Sequence, residues 1–437
     1  MLHSRRAVLG ACVLLLGAGV FSLHGASAPQ AGVRVPMASS AGSRDPIALL
    51  QQRIERGEVV LARDSVSGYL PALLRALDIP VSSQGLVFSR TSLQTDRIAP
   101  WSPRAIYFSD DVYIGYVAES QFLEIASIDP DSGARFYTFT QEQTGSPRFQ
   151  REGRTCLMCH QGRAVAGGVP GLMVLSTVAD RNGYPITAAH DGQTMDATPV
   201  RQRFGGWYVT GTHGRTGHSG NVYSDLLAHE VSDKAQYRGK IDLTTASART
   251  NVSDKFDTIP YPSAHSDIVA LMVLVHQATV HNLIATLQEV ATTAGPMADA
   301  APTAVTRVTS AVENLVRALV FAREAPLEGT MRGTTTFAQD FARIGPRDPR
   351  GRSLRDFDLE RRLFRYPLSY LVYSPSFDAL PEDARRMVYR RLHSIFDGND
   401  PNPELRHLGE ADRVAVREIL AATKPEFTSM SLAPPAK

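Results

Sequence analysis

Two periods of apolar residues divide this chain. Between Gly85 and Thr140 the apolar positions fall in short aromatic and β-branched runs: Leu86-Val87-Phe88, Ile106-Tyr107-Phe108, Val112 to Val117, Phe122 to Ile128 and Arg135 to Thr140. Ser109-Asp110-Asp111, Ala118-Glu119-Ser120 and Asp129-Pro130-Asp131-Ser132-Gly133 separate the last four. Strand-like runs at such intervals, with turn residues between them, predict an antiparallel meander. Leu172 to Val178, Tyr184 to Thr187 and Gly206 to Gly211 extend the strand pattern, the second of them behind the turn signal Asp180-Arg181-Asn182-Gly183. From Ser263 the period becomes that of a helix. Ile268, Leu271, Met272, Val275, Ala278 and Leu283 form one apolar stripe, and Val305, Val308, Val312, Leu315, Val316 and Leu319 form another. Leu354 to Phe364, Glu382 to Phe396 and Asp412 to Thr423 are further expected helices, with Gly398 and Pro425 as stops. Two short helices are expected earlier, one after Asp45-Pro46 and one over Tyr69 to Leu77.

The expected fold class is therefore α+β. A β-rich domain with antiparallel strands covers 46–262, a mostly helical region follows over 263–425, and 426–437 is expected to be a disordered tail. The hydrophobic content of 43% suits a globular chain with a sizeable core, and a net charge of +2 gives no reason to expect a nucleic-acid partner. Arg5 and Arg6 precede the apolar run Ala7 to Leu23, and Ala26-Ser27-Ala28 supplies a cleavage pattern, so residues 1–28 read as an export signal. Pro29 disfavours that cut, which leaves residues 7–23 as a membrane tether in the alternative. Residues 29–45 read as a linker. Either way the expected location is the periplasm or the periplasmic face of the membrane. Three cysteines exclude a disulfide framework, and Cys12 falls inside the apolar run.

The other two cysteines stand in Cys156-Leu157-Met158-Cys159-His160. Thiols at this spacing match the two vinyl groups of a haem, and the histidine that follows is placed to bind its iron. The pattern signals covalent c-type attachment, and one copy of it implies one haem c per chain. Export agrees with this, since bacteria attach such haem outside the inner membrane. A structural zinc site wants four ligands and there is no second cysteine pair. A redox dithiol leaves His160 unexplained.

On these five residues the chain resembles the c-type cytochromes, which implies Cys156 and Cys159 as haem-linking residues and His160 as proximal ligand. The resemblance stops there, because the cytochrome c domain is small and helical whereas this motif follows a β-meander. The run from Phe136-Tyr137-Thr138-Phe139 through the motif to Gly171-Leu172-Met173-Val174-Leu175-Ser176 resembles exported PAS-like sensor domains that carry C-x-x-C-H between strands. The whole sequence is similar to bacterial secreted proteins with a cytochrome c domain.

Arg154 and Arg163 flank the motif and are candidates for pairing with haem carboxylates, against the plainer reading of a basic solvated loop. For the sixth iron position the leading candidates are His213 and His218, in a glycine-rich loop whose other reading is simply polar. His190, Met173 and Met195 follow. His276 and His281 lie about 140° apart on one expected helix and cannot grip one metal, so they read as hydrogen-bonded helix residues. His265 and Asp267 read as helix N-terminal residues. The arginines of 350–365 and 385–391 read as solvated faces paired with nearby acids. The functional expectation is electron transfer to an unknown redox partner, with no catalytic residue assigned. A haem sensor or gas-binding module and a peroxidase-like enzyme are the alternatives.

Overall fold

The structure, a computed structural model, describes residues 44–141, 147–162, 168–231 and 248–431. The expected export signal, nearly all of the linker and Arg163 lie outside the described residues, as does the side chain of His190.

The expected meander is present. β1 (Gly85–Val87), β2 (Arg104–Phe108), β3 (Val112–Tyr116), β4 (Phe122–Asp129), β5 (Gly133–Thr140) and β6 (Phe149–Glu152) lie side by side in chain order, each antiparallel to the next. A late strand, β9 (Trp207–Tyr208), joins beside β1 and completes a seven-stranded sheet with β6 and β9 at its edges. β7 (Leu175–Ala179) and β8 (Pro185–Gln193) form a separate hairpin, and β10 (Thr212–His213) pairs with β11 (Met331–Arg332).

Because side chains alternate along a strand, the sheet buries two different sets of residues. Leu86, Tyr107, Ile114, Leu123, Ile125, Tyr137 and Phe139 pack with α1 (Pro46–Glu55) and α2 (Leu70–Ala76). Asp45 holds this layer in register. One of its carboxylate oxygens caps α1 by accepting from the Ile47 and Ala48 amides, and the other accepts from the Tyr137 hydroxyl on β5. The motif segment forms the short helix α3 (Arg154–His160), and Val87, Phe108, Tyr113, Ile128, Ala134 and Phe136 on the opposite face share a core with α4 (Ile268–Ala294).

α4 is apolar and long enough to cross a bilayer, yet 89% of its most apolar window is buried within the molecule, as in a core helix. Several of its polar side chains, and its cap Asp267, are spent on neighbouring segments. Asp267 caps the helix through one oxygen, and through the other accepts from the amides of Thr334 and Thr335. Gln277 donates to the carbonyls of Ser109 and Asp110, and His281 donates to the latter from Nε2 at 2.8 Å. Around α4 lie α5 (Pro302–Leu319), α6 (Phe337–Arg343), α7 (Pro375–Asp378), α8 (Glu382–Phe396), α9 (Glu410–Thr423) and α10 (Pro425–Ser431). The α+β fold is as expected, and the helical region shares its largest hydrophobic cluster with the sheet. The basic stretches behave as expected too, with Arg352 on Asp348 and Glu418, Arg362 on Asp412, and Arg391 on Glu313 and Asp400.

Two expectations are corrected. Leu354 to Phe364 forms no helix: Asp358 takes the Glu360 and Arg361 amides into a tight turn, Leu359 adopts φ 58°, and Phe357 and Phe364 stack at 5.2 Å. α9 does end at Thr423, just before the expected stop Pro425, but that proline then opens α10, as proline does in a first turn. Phe427 of that helix is buried against His393, so the ordered chain runs further than the tail boundary at 426.

One buried polar cluster has the connectivity of a catalytic triad. His276 on α4 bonds Asp196 through Nδ1 at 2.7 Å and Ser369 Oγ through Nε2 at 2.8 Å. A nucleophile must meet its substrate, however, and Ser369 and His276 are both 0% exposed. The trio ties α4 to two loops and is structural. Beside it, Glu324 is partly buried and accepts from the Leu363 amide, and its pKa is pushed up to about 8, mainly by desolvation and then by Asp196. A carboxyl that stays protonated in the fold while the unfolded chain ionises costs stability as pH rises from its ordinary range toward 8, at roughly 1.4 kcal/mol per pH unit. Urea denaturation of Glu324→Gln is therefore expected to match the wild type near pH 4.5 and to exceed it by a few kcal/mol at pH 8. A constant difference across that range would refute the assignment.

Candidate functional site

The motif is not in a loop. After edge strand β6 the chain turns at Gly153 and enters the short helix α3 (Arg154–His160). At 100° per residue, a direction midway between Cys156 and Leu157 points His160 inward as well, leaves Cys159 at the side and sends Met158 outward. The exposures agree. Cys156 and Leu157 pack against the sheet–α4 core, His160 is half-buried, Cys159 is exposed and Met158 is 74% exposed.

His160 is held on three sides. Its ring lies against Phe136 of β5, with centroids 4.5 Å apart. Nδ1 is 2.8 Å from the Gly171 carbonyl, and the Gly171 amide returns a bond to the His160 carbonyl at 2.8 Å. The next residue, Leu172, is gripped through both its backbone groups by Asn282 of α4, each bond 2.8 Å. A carbonyl at Nδ1 fixes the proton there and leaves Nε2 as the open lone pair. Nε2 makes no hydrogen bond among the described residues. Burial lowers the pKa of the ring, so the imidazole is neutral, the form that binds metal.

The thiols do not suit dithiol chemistry. A catalytic C-x-x-C cysteine has a depressed pKa; Cys156 is instead pushed up to about 12, chiefly by burial and then by Glu152 and Glu124. Among the described residues no group of three or more His, Cys, Asp or Glu side chains converges as a metal cage.

The other expected site residues are not gathered here. Arg154 opens α3 and is exposed. His213 and His218 contact each other, ring centroids 5.1 Å apart. Both accept at Nδ1 from backbone amides, of Gly217 and Gly220, so a neutral ring carries its proton on Nε2 and offers no free lone pair. Burial and His213 push His218 down to about 3. The pair also sits at the wrong end of α4. Ile268, its first residue, bonds Thr210 next to β10, whereas Asn282 holds the His160 loop. Those positions are roughly 20 Å apart along the helix axis. His213 and His218 therefore stand apart from His160 in this fold. His276, His281 and Asp267 are hydrogen-bonded helix residues, as their spacing implied.

What the motif does meet was not singled out from the sequence: Phe136, the Gly171 carbonyl, Asn282, and a charged pair on the sheet, Arg104 and Glu124. Only Glu124 left a trace, as a charge inside the otherwise mostly apolar run Phe122 to Ile128.

Removing Asn282 strands the buried Leu172 amide and carbonyl together. Asn282→Ala is expected to destabilise the protein by about 2–4 kcal/mol in urea titration and to speed hydrogen exchange at Leu172. Protection unchanged at that amide would show that the loop is held by other means. Comparisons with protein-family models, with curated proteins and with solved structures returned no match, so neither resemblance drawn from the motif gains support from them.

Proposed function

We propose that this chain is an extracytoplasmic c-type haem protein, with one haem bonded to Cys156 and Cys159 and its iron bound by His160, and that it transfers electrons. The observation that carries the reading is the state of His160, neutral and oriented by the Gly171 carbonyl with Nε2 unbonded. Metal-binding histidines characteristically donate their second ring nitrogen to a carbonyl or carboxylate in this way, which fixes the tautomer and raises ligand basicity. The placement of the thiols supports it further. Cys159 is accessible, Cys156 is half-buried, and neither is paired in a disulfide. A bound haem would supply a one-electron iron couple whose potential depends on burial, hydrogen bonding and the second axial ligand. The protein's part is to hold the imidazole rigidly from the sheet and α4, and to shield one side of it with Phe136. The apolar run 7–23 supports export.

Electron transfer is preferred to a peroxidase because the histidines expected to serve as distal acid and base, His213 and His218, lie near the other end of α4. The full chain, produced with a c-haem maturation system, is expected to give a haem-stained band on denaturing electrophoresis that disappears in the Cys156→Ala, Cys159→Ala double variant. An unstained wild-type band would refute the haem reading. His160→Ala is expected to keep covalent haem while losing the low-spin spectrum. If the reduced wild type binds carbon monoxide readily, electron transfer gives way to the gas-binding alternative.

A further inference from the structure

Two consecutive residues, Gly171 and Leu172, are each held through both backbone groups, but by different partners. Gly171 is held by His160: its amide donates to the His160 carbonyl and its own carbonyl accepts from Nδ1, each at 2.8 Å. Leu172 is held by Asn282 of α4: its amide donates to Oδ1 and its carbonyl accepts from Nδ2, each at 2.8 Å. The Gly171 carbonyl and the Leu172 amide belong to one peptide group, which is planar and conjugated. The acceptor for the imidazole proton and the donor to Asn282 are thus the two ends of a single dipole.

The result is a continuous line of hydrogen bonds. It runs from His160 Nδ1 to the Gly171 carbonyl, across the peptide plane to the Leu172 amide, and on to Asn282 Oδ1. Hydrogen bonds in series polarise one another, and more strongly in an interior of low dielectric. Leu172 is 7% exposed and Asn282 5% exposed, so the far half of the line is sheltered from water. An acceptor on the Leu172 amide moves electron density toward the Gly171 oxygen and makes it a better acceptor for the Nδ1 proton. The Asn282 amide cannot turn away from this task, because its Nδ2 end is bonded to the Leu172 carbonyl.

We infer that Asn282 is a positioning residue that sets the donor strength of His160 toward iron, acting through the Gly171–Leu172 peptide. This rests on the haem reading above. A stronger bond at Nδ1 gives the ring more imidazolate character and makes Nε2 a more basic ligand. A more basic axial ligand favours the ferric over the ferrous state, so the potential falls. The buried helix α4 in this way reaches the iron's electronics, beyond fixing where the loop lies.

Two variants of the full chain separate polarisation from loosening. Asn282→Leu deletes both bonds to Leu172, whereas Asn282→Asp keeps an oxygen to accept from the Leu172 amide. In the haem-free chain, NMR of the His160 ring is expected to find the proton on Nδ1 in the wild type. Its resonance is expected to move upfield in Asn282→Leu and to stay in place or move downfield in Asn282→Asp. A wild-type proton on Nε2 would overturn the inference without any variant. In the haem-loaded chain, the reduced-to-oxidised ratio at a fixed ambient potential is expected to rise about twofold to threefold in Asn282→Leu. In Asn282→Asp it is expected at or below the wild-type value. A haem-stained Asn282→Leu with an unmoved ratio, or an Asn282→Asp whose ratio rises with it, would overturn the inference and leave the haem reading intact. An unstained wild type would overturn the haem reading and, with it, the effect on iron.

Discussion

A helix buried over most of its length is destabilised by polar side chains left unpaired, and that constraint organises much of α4. An unmet donor or acceptor in the interior costs about 1–3 kcal/mol, and five polar residues at and along α4 each draw in another part of the chain. Asp267 takes the Thr334–Thr335 turn, His276 takes Asp196 and Ser369, Gln277 and His281 take the β2–β3 turn, and Asn282 takes Leu172. The apolar residues between them complete the core with the sheet. Sheet and helical region are in this way built on one helix.

The candidate site inherits its rigidity from the same helix. Asn282 fixes Leu172, its neighbour Gly171 fixes His160, and Phe136 of the sheet supports the imidazole. The motif helix is only seven residues long and has no side-chain cap, so its own hydrogen bonds do not orient a ligand. Tertiary contacts do. The same helix also acts as a ruler that keeps the His213–His218 pair distant from His160, although both pairs of elements touch it.

Satisfaction of hydrogen bonds separates two kinds of buried polar group here. In the Asp196–His276–Ser369 chain the imidazole is bonded at both ring nitrogens, and His276 and Ser369 are sealed from solvent, which suits a fastening. Glu324 is partly buried beside it, and desolvation raises its carboxyl pKa to about 8. The Arg104–Glu124 pair keeps an unpaired donor and an unpaired acceptor, as several other ion pairs of the fold do.

The sequence by itself determined the period of each major element, because alternation and helical spacing are local consequences of burying one face. The meander, the long stripe of α4, and the helices over 382–396 and 410–423 follow from it. The C-x-x-C-H run was equally legible, since its spacing is a local chemical pattern. Arg and Asp positions in 354–364 were misleading, as Asp358 spends its carboxylate on a turn that periodicity does not register. Which residues meet His160 was decided only by tertiary structure. Phe136, Gly171 and Asn282 lie between 11 and 122 positions from it, and a carbonyl at Gly171 has no side chain to announce it. The separation of His213 and His218 from the motif was hidden for the same reason: it depends on which end of a buried helix each loop touches, and a linear pattern carries no such distance.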